Sequence, residues 1–271
     1  MKHLQTIIAL VLAASTLPAC STGSDRSSSS VSISGYSNDG DSHRTAARTL
    51  NLSGYTAIST SSAIDIYYTQ TSSYSPVTVH APARYIDNVK VTVSNGTLKA
   101  YMQGVNNIRL RDKERIIVSL SAPALSAFSA SSSGDIYIND GLIAPDGSEI
   151  KFSTSSSGDI KVSTIKASTV NLSASSSGDI KIDELSCRVL NASATSSGDI
   201  KIKGGMAQKA FLKASSSGDI KASQFQVKEI DARASSAGDI ECSPTESISY
   251  KESSSGDVKF NTSVAVRVRK L

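Results

Sequence analysis

From residue 160 onward, apolar and polar residues alternate in short runs that return at a nearly constant interval. In one such run Ile180 and Ile182 flank Lys181, and the same triplet type recurs about 20 residues earlier and later. A period of two places successive side chains on opposite faces of a β-strand. The pattern therefore predicts strands with one buried face, repeated many times.

Each run is preceded by a Gly-Asp pair. Five of the seven copies share Ser-Ser-Gly-Asp followed by Ile-Lys or Val-Lys. The glycines lie 24, 20, 20, 20, 20 and 18 residues apart, which is typical of a stacked repeat protein. The seven aspartates are Asp135, Asp159, Asp179, Asp199, Asp219, Asp239 and Asp257.

The residues between the Gly-Asp pairs distinguish between repeat folds of this length, since leucine-rich repeats have similar periods. A 20-residue unit that already holds these strands has no room for a useful helix. We predict an all-β fold, a single parallel β-helix with coils of about 20 residues. Three predicted interior columns are Val170, Leu190, Ala210 and Ile230; Leu172, Ala192, Leu212 and Ala232; and Ala174, Ala194, Ala214 and Ala234.

The repeat leaves the position of its glycine open. Gly178 could lie mid-strand or at a corner, where glycine tolerates a positive φ. Residues 48–124 lack the Gly-Asp mark but keep the alternation, and Ser62–Ile66 looks like a degenerate copy. We therefore predict one β-helix domain over 47–264, with an irregular first part and roughly eleven coils at ~4.8 Å each.

The two ends of the chain have a different character. A short apolar run after Lys2 ends in Leu17-Pro18-Ala19-Cys20, which resembles a lipoprotein signal peptide (1–19) with lipid attachment at Cys20. Ten serines between Ser21 and Ala46 predict a flexible tether over 20–46. Residues 265–271 read as a charged tail or cap. Ser21, not an aspartate, follows Cys20, which by resemblance to enterobacterial sorting favours the outer membrane, on either its periplasmic or its surface face.

Charge and composition limit the classes of molecule that the protein could bind. The chain has 28 basic and 24 acidic residues, interspersed, with a net charge of +4. This argues against nucleic acid as a partner. Of three histidines, only His80 lies outside the predicted signal and tether.

These residues resemble a known family. Arg48–Leu50 with Tyr55–Ile58 and Ile64–Tyr67, then Val89–Leu98, then the Ser-Gly-Asp coils, are similar to the autotransporter adhesin head domain called GIN. The resemblance covers about Arg48 to Phe260. It implies a right-handed β-helix and a secreted or lipid-anchored envelope protein, and it implies no catalytic residues.

The aspartates are the candidate chemistry. Glycan hydrolases need two carboxylates in unlike environments, whereas this ladder repeats one environment. Glycine-aspartate repeats that bind calcium have nine residues and a Gly-Gly-x-Gly-x-Asp pattern, and here a lysine follows most aspartates two residues on. We interpret the ladder as structural, with no metal and no cofactor, and with calcium binding as an alternative.

The two remaining cysteines are predicted to be buried free thiols. Cys187 aligns with Ala167 and Ala207, and Cys242 aligns with Ile182 and Ile202, three coils away. That separation is about 14 Å, beyond the roughly 7 Å between Cα atoms that a disulfide allows.

Three functions remain open from the sequence. The leading hypothesis is a non-enzymatic envelope lipoprotein whose β-helix is a surface for adhesion to a protein or glycan, with the membrane as a second partner through its lipid. Serine and asparagine rows with Tyr67, Tyr68, Tyr101 and Tyr137 could supply a flat glycan surface. The alternatives are a carbohydrate-active β-helix enzyme and a structural envelope component.

The lipoprotein hypothesis gives a first testable prediction. Cys20→Ala removes the thiol that would be acylated, so we expect no lipid incorporation and an unprocessed or mislocalised precursor. Metabolic labelling with a clickable fatty acid measures this. Equal labelling of wild type and variant would contradict it.

Overall fold

The computed structural model describes residues 29–30, 44–105, 107–111 and 113–271. The predicted signal segment, Cys20 and most of the predicted tether lie outside the described residues. What is described confirms the predicted fold class: an all-β solenoid of about seven turns with coils of about 20 residues. No helix in the described part of the chain has the length and apolar character needed to span a membrane.

Nineteen strands and one 3-10 turn, Ile86–Asn88, make up the described fold. The strands are β1 Ser29–Ser30, β2 Thr45–Leu50, β3 Ala57–Thr60, β4 Ile64–Gln70, β5 Val77–Pro82, β6 Val89–Ser94, β7 Thr97–Met102, β8 Ile116–Ala122, β9 Ala127–Ala130, β10 Ile136–Ile138, β11 Leu142–Ile143, β12 Glu149–Thr154, β13 Ile160–Ala174, β14 Ile180–Thr195, β15 Ile200–Ser215, β16 Ile220–Ser235, β17 Ile240–Ser253, β18 Val258–Phe260 and β19 Arg267–Lys270.

Each regular coil is one long strand bent around three sides. In the coil of β14 we call residues 180–182 side A, 185–188 side B and 190–194 side C, and we use these names for the equivalent positions of other coils. Successive coils pair in parallel, with Ile180 opposite Ile200 on side A and Leu190 opposite Ala210 on side C. All three predicted interior columns are buried, so the two-residue period assigned the inner face correctly.

The Ser-Ser-Gly-Asp segment forms the corner that closes each coil. Gly198 is buried there, but its φ is not positive. The left-handed backbone belongs instead to Ser196, with a φ of 62°, and to the equivalent serine of each copy. A Cβ added to Gly198 would lie 2.7 Å from the backbone nitrogen of Ser175 and 2.8 Å from the carbonyl oxygen of Gly178. The glycine is therefore required for close contact between coils, not for its freedom in φ.

The first coils do not stack in chain order. Strand β4 pairs in parallel with β8 on one edge and with β10 on the other. Strand β3 likewise lies between β7 and β9. The coil of residues 57–70 is thus inserted between two later coils, residues 97–122 and residues 127–138. Ser62–Ile66 is a degenerate copy of the repeat, since Ser62 has the same left-handed backbone, with a φ of 66°, as the corner serines. This copy stacks on residues 70 positions further along the chain.

Antiparallel strands close the opening end of the tube. β5 pairs antiparallel with β8, β2 with β5, and β1 with β2. The β6–β7 hairpin turns at Asn95-Gly96, and its strand β7 pairs in parallel with β3. These strands account for the smaller number of turns, because residues that we counted as coils form this cover. Four residues of the predicted tether, Ser29–Ser30 in β1 and Thr45 and Ala46 in β2, are also part of it.

The other end of the tube is less covered. Residues 267–270 pair in parallel with β17 and continue the solenoid by one strand. Val264 and Val268 are each 51% exposed and Leu271 is 50% exposed. Apolar positions that an additional coil would bury therefore face outward here.

Both described cysteines are free, as predicted. Cys242 is buried in the tube. Cys187 is only half-buried, so the prediction was wrong for this residue, because it lies on side B where the strand bends and its side chain faces an outer groove. Burial raises the pKa of each thiol to about 12, which keeps both protonated at neutral pH.

The corner contacts lead to a second prediction. Gly198→Ala forces a methyl group against backbone atoms of the preceding coil, and we expect a loss of about 1–3 kcal/mol in the free energy of unfolding. Ser197→Ala is the matched control, because this neighbouring side chain is exposed and its loss should cost less than about 0.5 kcal/mol. Denaturant unfolding monitored by circular dichroism measures both. Equal stability of the two variants would show that the corner can widen without cost.

Candidate functional site

The aspartates of the repeat form a ladder of side-chain to backbone hydrogen bonds. The backbone N–H of Asp219 donates to Oδ1 of Asp199 at 3.0 Å, and that of Asp199 donates to Oδ1 of Asp179 at 3.1 Å. The same bond recurs at every step from Asp65 to Asp257. Each carboxylate thus satisfies an N–H of the next coil at the corner, where regular strand pairing is interrupted.

The second carboxylate oxygen faces the lysines of side A. Lys181 Nζ lies 2.9 Å from Oδ2 of Asp179 and 3.6 Å from Oδ2 of Asp159 on the preceding coil. Lys221 bridges Asp219 and Asp199 in the same way, at 3.1 and 3.4 Å. The hydrogen bond to Asp179 raises the pKa of Lys181, and the bond to Asp219 raises that of Lys221. The alternating charges offset the repulsion between stacked carboxylates.

This arrangement uses the groups that catalysis or cation binding would need. From Asp135 to Asp239, Oδ1 accepts an N–H and Oδ2 lies within 4.0 Å of a lysine Nζ, so a calcium ion would have to displace both. Among the described residues no group of three or more His, Cys, Asp or Glu side chains is placed to hold a metal ion. Burial raises the pKa of Asp65, the carboxylate at the start of the ladder. The ladder residues are thus placed together, but as a structural column.

Side B carries a feature that the sequence did not reveal, an open groove of about 970 Å³ that runs along several coils. Small apolar residues form its floor: Ala144, Ala167, Cys187 and Ala207. Ala207 is 6% exposed. The 143–147 segment closes one end, and Thr245 marks the other. We call this recess the side B groove.

The two rims of the side B groove carry mostly polar side chains, three of them cations. One rim carries Lys166, Ser186, Met206 and Gln226, and the other carries Ser168, Arg188, Gln208 and Lys228. Nε of Arg188 donates to Oγ of Ser168 at 2.8 Å, which holds the guanidinium along the rim. Lys228 is paired with Glu246 at 3.1 Å. In the described chain no carboxylate lies within 4.0 Å of Lys166 or Arg188.

The predicted tyrosine surface is only partly present. Tyr68 is buried in the core. Tyr67 and Tyr137 stack on side A with ring centroids 4.8 Å apart, and Lys161 covers the Tyr137 ring. Beside Tyr67 lies a trough of about 400 Å³ lined by Thr69, Thr78, Ser119, Ser121 and others.

Side C carries the predicted asparagine and serine rows. Nδ2 of Asn191 donates to Oδ1 of Asn171 at 2.8 Å, and Asn171 donates to Glu149 at 2.6 Å. Phe211 continues this column and is 42% exposed. Side C is therefore a polar surface with an exposed aromatic ring at Phe211 and a recess of about 320 Å³ beside it.

A family model described as "putative auto-transporter adhesin, head GIN domain" matches residues 54–263 of the chain. The chain belongs to this GIN-domain family. The match confirms the resemblance inferred from the sequence and extends over the whole of the regular solenoid. A search of the curated proteins returns no significant match.

Solved structures share the fold of this GIN domain. A "putative adhesin" from Parabacteroides distasonis has 18% identity and a TM-score of 0.71, over 84% of this chain and 95% of that one. A "putative adhesin" from Parabacteroides merdae has 18% identity and a TM-score of 0.64, over 83% and 93%. A "putative lipid binding protein" from Parabacteroides distasonis has 22% identity and a TM-score of 0.56, over 83% and 96%. At these identities the likeness shows the fold alone.

The ladder geometry gives a third prediction. Asp199→Asn keeps an acceptor oxygen for the Asp219 N–H, so we expect a loss below about 1 kcal/mol in the free energy of unfolding. Asp199→Ala leaves that N–H without its acceptor and should cost about 1–3 kcal/mol. Ile200→Ala, which opens a cavity inside the tube, is the large-effect control at about 2–5 kcal/mol. Thermal melts with and without calcium measure all three. A calcium-dependent rise in melting temperature that Asp199→Asn abolishes would instead identify a metal site.

Proposed function

We propose that this protein is a cell-envelope lipoprotein, anchored through Cys20, whose β-helix is a non-enzymatic binding surface for adhesion to a glycan or protein. Its GIN-domain family and the adhesin names of structural neighbours support the general role. The signal sequence and serine-rich tether support an anchored head held away from a membrane, with the outer membrane favoured by Ser21.

The side B groove is the observation that carries this proposal. On the other sides of the regular coils many polar groups bond to one another, as in the Asp-Lys ladder and the Asn191–Asn171 pair, and the recesses there are smaller, at about 320 and 370 Å³. The groove instead combines a concave apolar floor with cations that have no carboxylate partner, and concave surfaces of this kind are typical of binding sites. The carboxylates that a glycan-cleaving enzyme would use are bonded to backbone N–H groups and face lysines, which disfavours the enzyme alternative.

The fourth prediction tests binding with the intact, lipidated protein. Fluorescent liposomes that carry the protein should adhere to a subset of features on a glycan and envelope-protein array, because many copies on one vesicle raise a weak affinity to a measurable avidity. Liposomes without protein are the control. The substrates that bind are then assayed for new reducing ends. No retention on any feature would contradict the adhesion role, and release of reducing ends would favour the enzyme alternative.

A further inference from the structure

The side B groove combines a recessed apolar floor with cations on both rims. Its floor residues Ala167, Cys187 and Ala207 occupy one column across three consecutive coils. From Ile143 to the coil of Thr245 the groove crosses five coil steps, or roughly 24 Å at the strand spacing. An occupant must therefore be long, narrow and aligned with the axis.

The charges of the groove define the occupant further. Lys166 and Arg188 lie on opposite rims of neighbouring coils without carboxylate partners, and Lys228, which is paired with Glu246 at 3.1 Å, extends the row. By contrast, Lys181 and Lys221 on side A are each shared between two aspartates of the ladder. Asp146 is the one acidic side chain of the lining, at the end beyond Lys166. The mainly positive charge of the groove lining is complementary to a polyanion.

The backbone distinguishes a glycan from a peptide. Peptides that bind extended along a sheet do so by pairing with a free strand edge. The floor strands have no free edge, since Ser186 pairs with Met206 and Cys187 with Ala207 in the coil ladder. The floor also lacks deep pockets for side chains. It offers a row of methyl and thiol groups that fits the flat C–H face of a sugar ring.

The rim spacing points the same way. Coils rise by about 4.8 Å, close to the length of one sugar residue in an extended chain. Along one rim the sequence Arg188, Gln208, Lys228 alternates cation, amide and cation, so the charges lie two coils, or about 10 Å, apart. Gln208, Gln226 and Ser186 supply donors and acceptors for hydroxyl or amide groups between the charges.

From these observations we infer that the side B groove binds a linear anionic polysaccharide along the axis of the β-helix, with its carboxylate or sulfate groups on Arg188 and Lys166, and with Lys228 exchanging its Glu246 partner for the ligand. This inference rests on the proposed binding function and names the substrate class of that site. Arg188 is the central contact, because Ser168 fixes its orientation and no acidic residue competes for it.

The test uses the full lipidated chain in detergent, with hyaluronan oligosaccharides as the probe, because their carboxylates occur on alternate sugars. Isothermal titration should show binding that weakens several-fold between about 50 and 200 mM salt. Arg188→Glu should lower the affinity at least about tenfold, since a charge-assisted hydrogen bond is lost and repulsion is added. Lys213→Glu is the matched control on side C of the next coil, where the same change of net charge should leave affinity unchanged. Melting temperatures of both variants verify that they fold.

Three outcomes would overturn the inference. The first is absence of hyaluronan binding, and the second is an equal loss of affinity in Lys213→Glu. The third is equal affinity for carboxyl-reduced hyaluronan or for poly-glutamate, which would show that the charge or the sugar backbone is irrelevant. Retention on the array combined with any of these results would leave the adhesion role intact and exclude this ligand class. If the liposomes are also not retained on any array feature, the adhesion role itself is contradicted.

Discussion

The hydrogen bond between each repeat aspartate and the backbone N–H of the next coil is the contact on which the regular solenoid depends. At a corner the chain turns and regular strand pairing is interrupted, although backbone bonds such as that from the Ser197 N–H to the Ser176 carbonyl, at 2.7 Å, still join the coils. The carboxylate bridges this interruption from one coil to the next, and the adjacent glycine leaves room for the approach. Because the same unit recurs from Asp135 to Asp257, one short motif adds the same contact at each step of the regular coils.

Much of this fold could be predicted from the sequence because the responsible interactions are periodic. The alternation around Ile180 and Ile182 assigned the inner face correctly, and the 20-residue period gave the stack. The spacing of Asp179 and Lys181 also predicted that they share a face. The spacing could not show that the aspartate accepts a backbone N–H, since that bond depends on the backbone conformation at the corner. The positive φ of Ser196 was likewise hidden, because serine gives no composition signal for a left-handed backbone.

The candidate site was missed for a related physical reason. Ala167, Cys187 and Ala207 look like interior residues in a two-residue pattern, and Lys166 and Arg188 look like ordinary exposed charges. The groove arises because the strand bends at side B, so the alternation no longer separates inside from outside there. Likewise, the placement of residues 57–70 depends on pairing between segments far apart in the chain. No local pattern encodes it.

That insertion has a consequence for how the chain acquires its structure. A chain is synthesised from its N-terminus, and most solenoid coils can add to a finished neighbour as they appear. Strand β4 instead needs β8 on one edge and β10 on the other, and β10 follows it by about 70 residues. Until residue 138 has emerged, at least one edge of this strand has no partner in its own chain. Long-range pairing of this kind slows folding and exposes strand edges to aggregation. The opening part of the domain, up to residue 138, is therefore the part most exposed to mispairing before folding is complete.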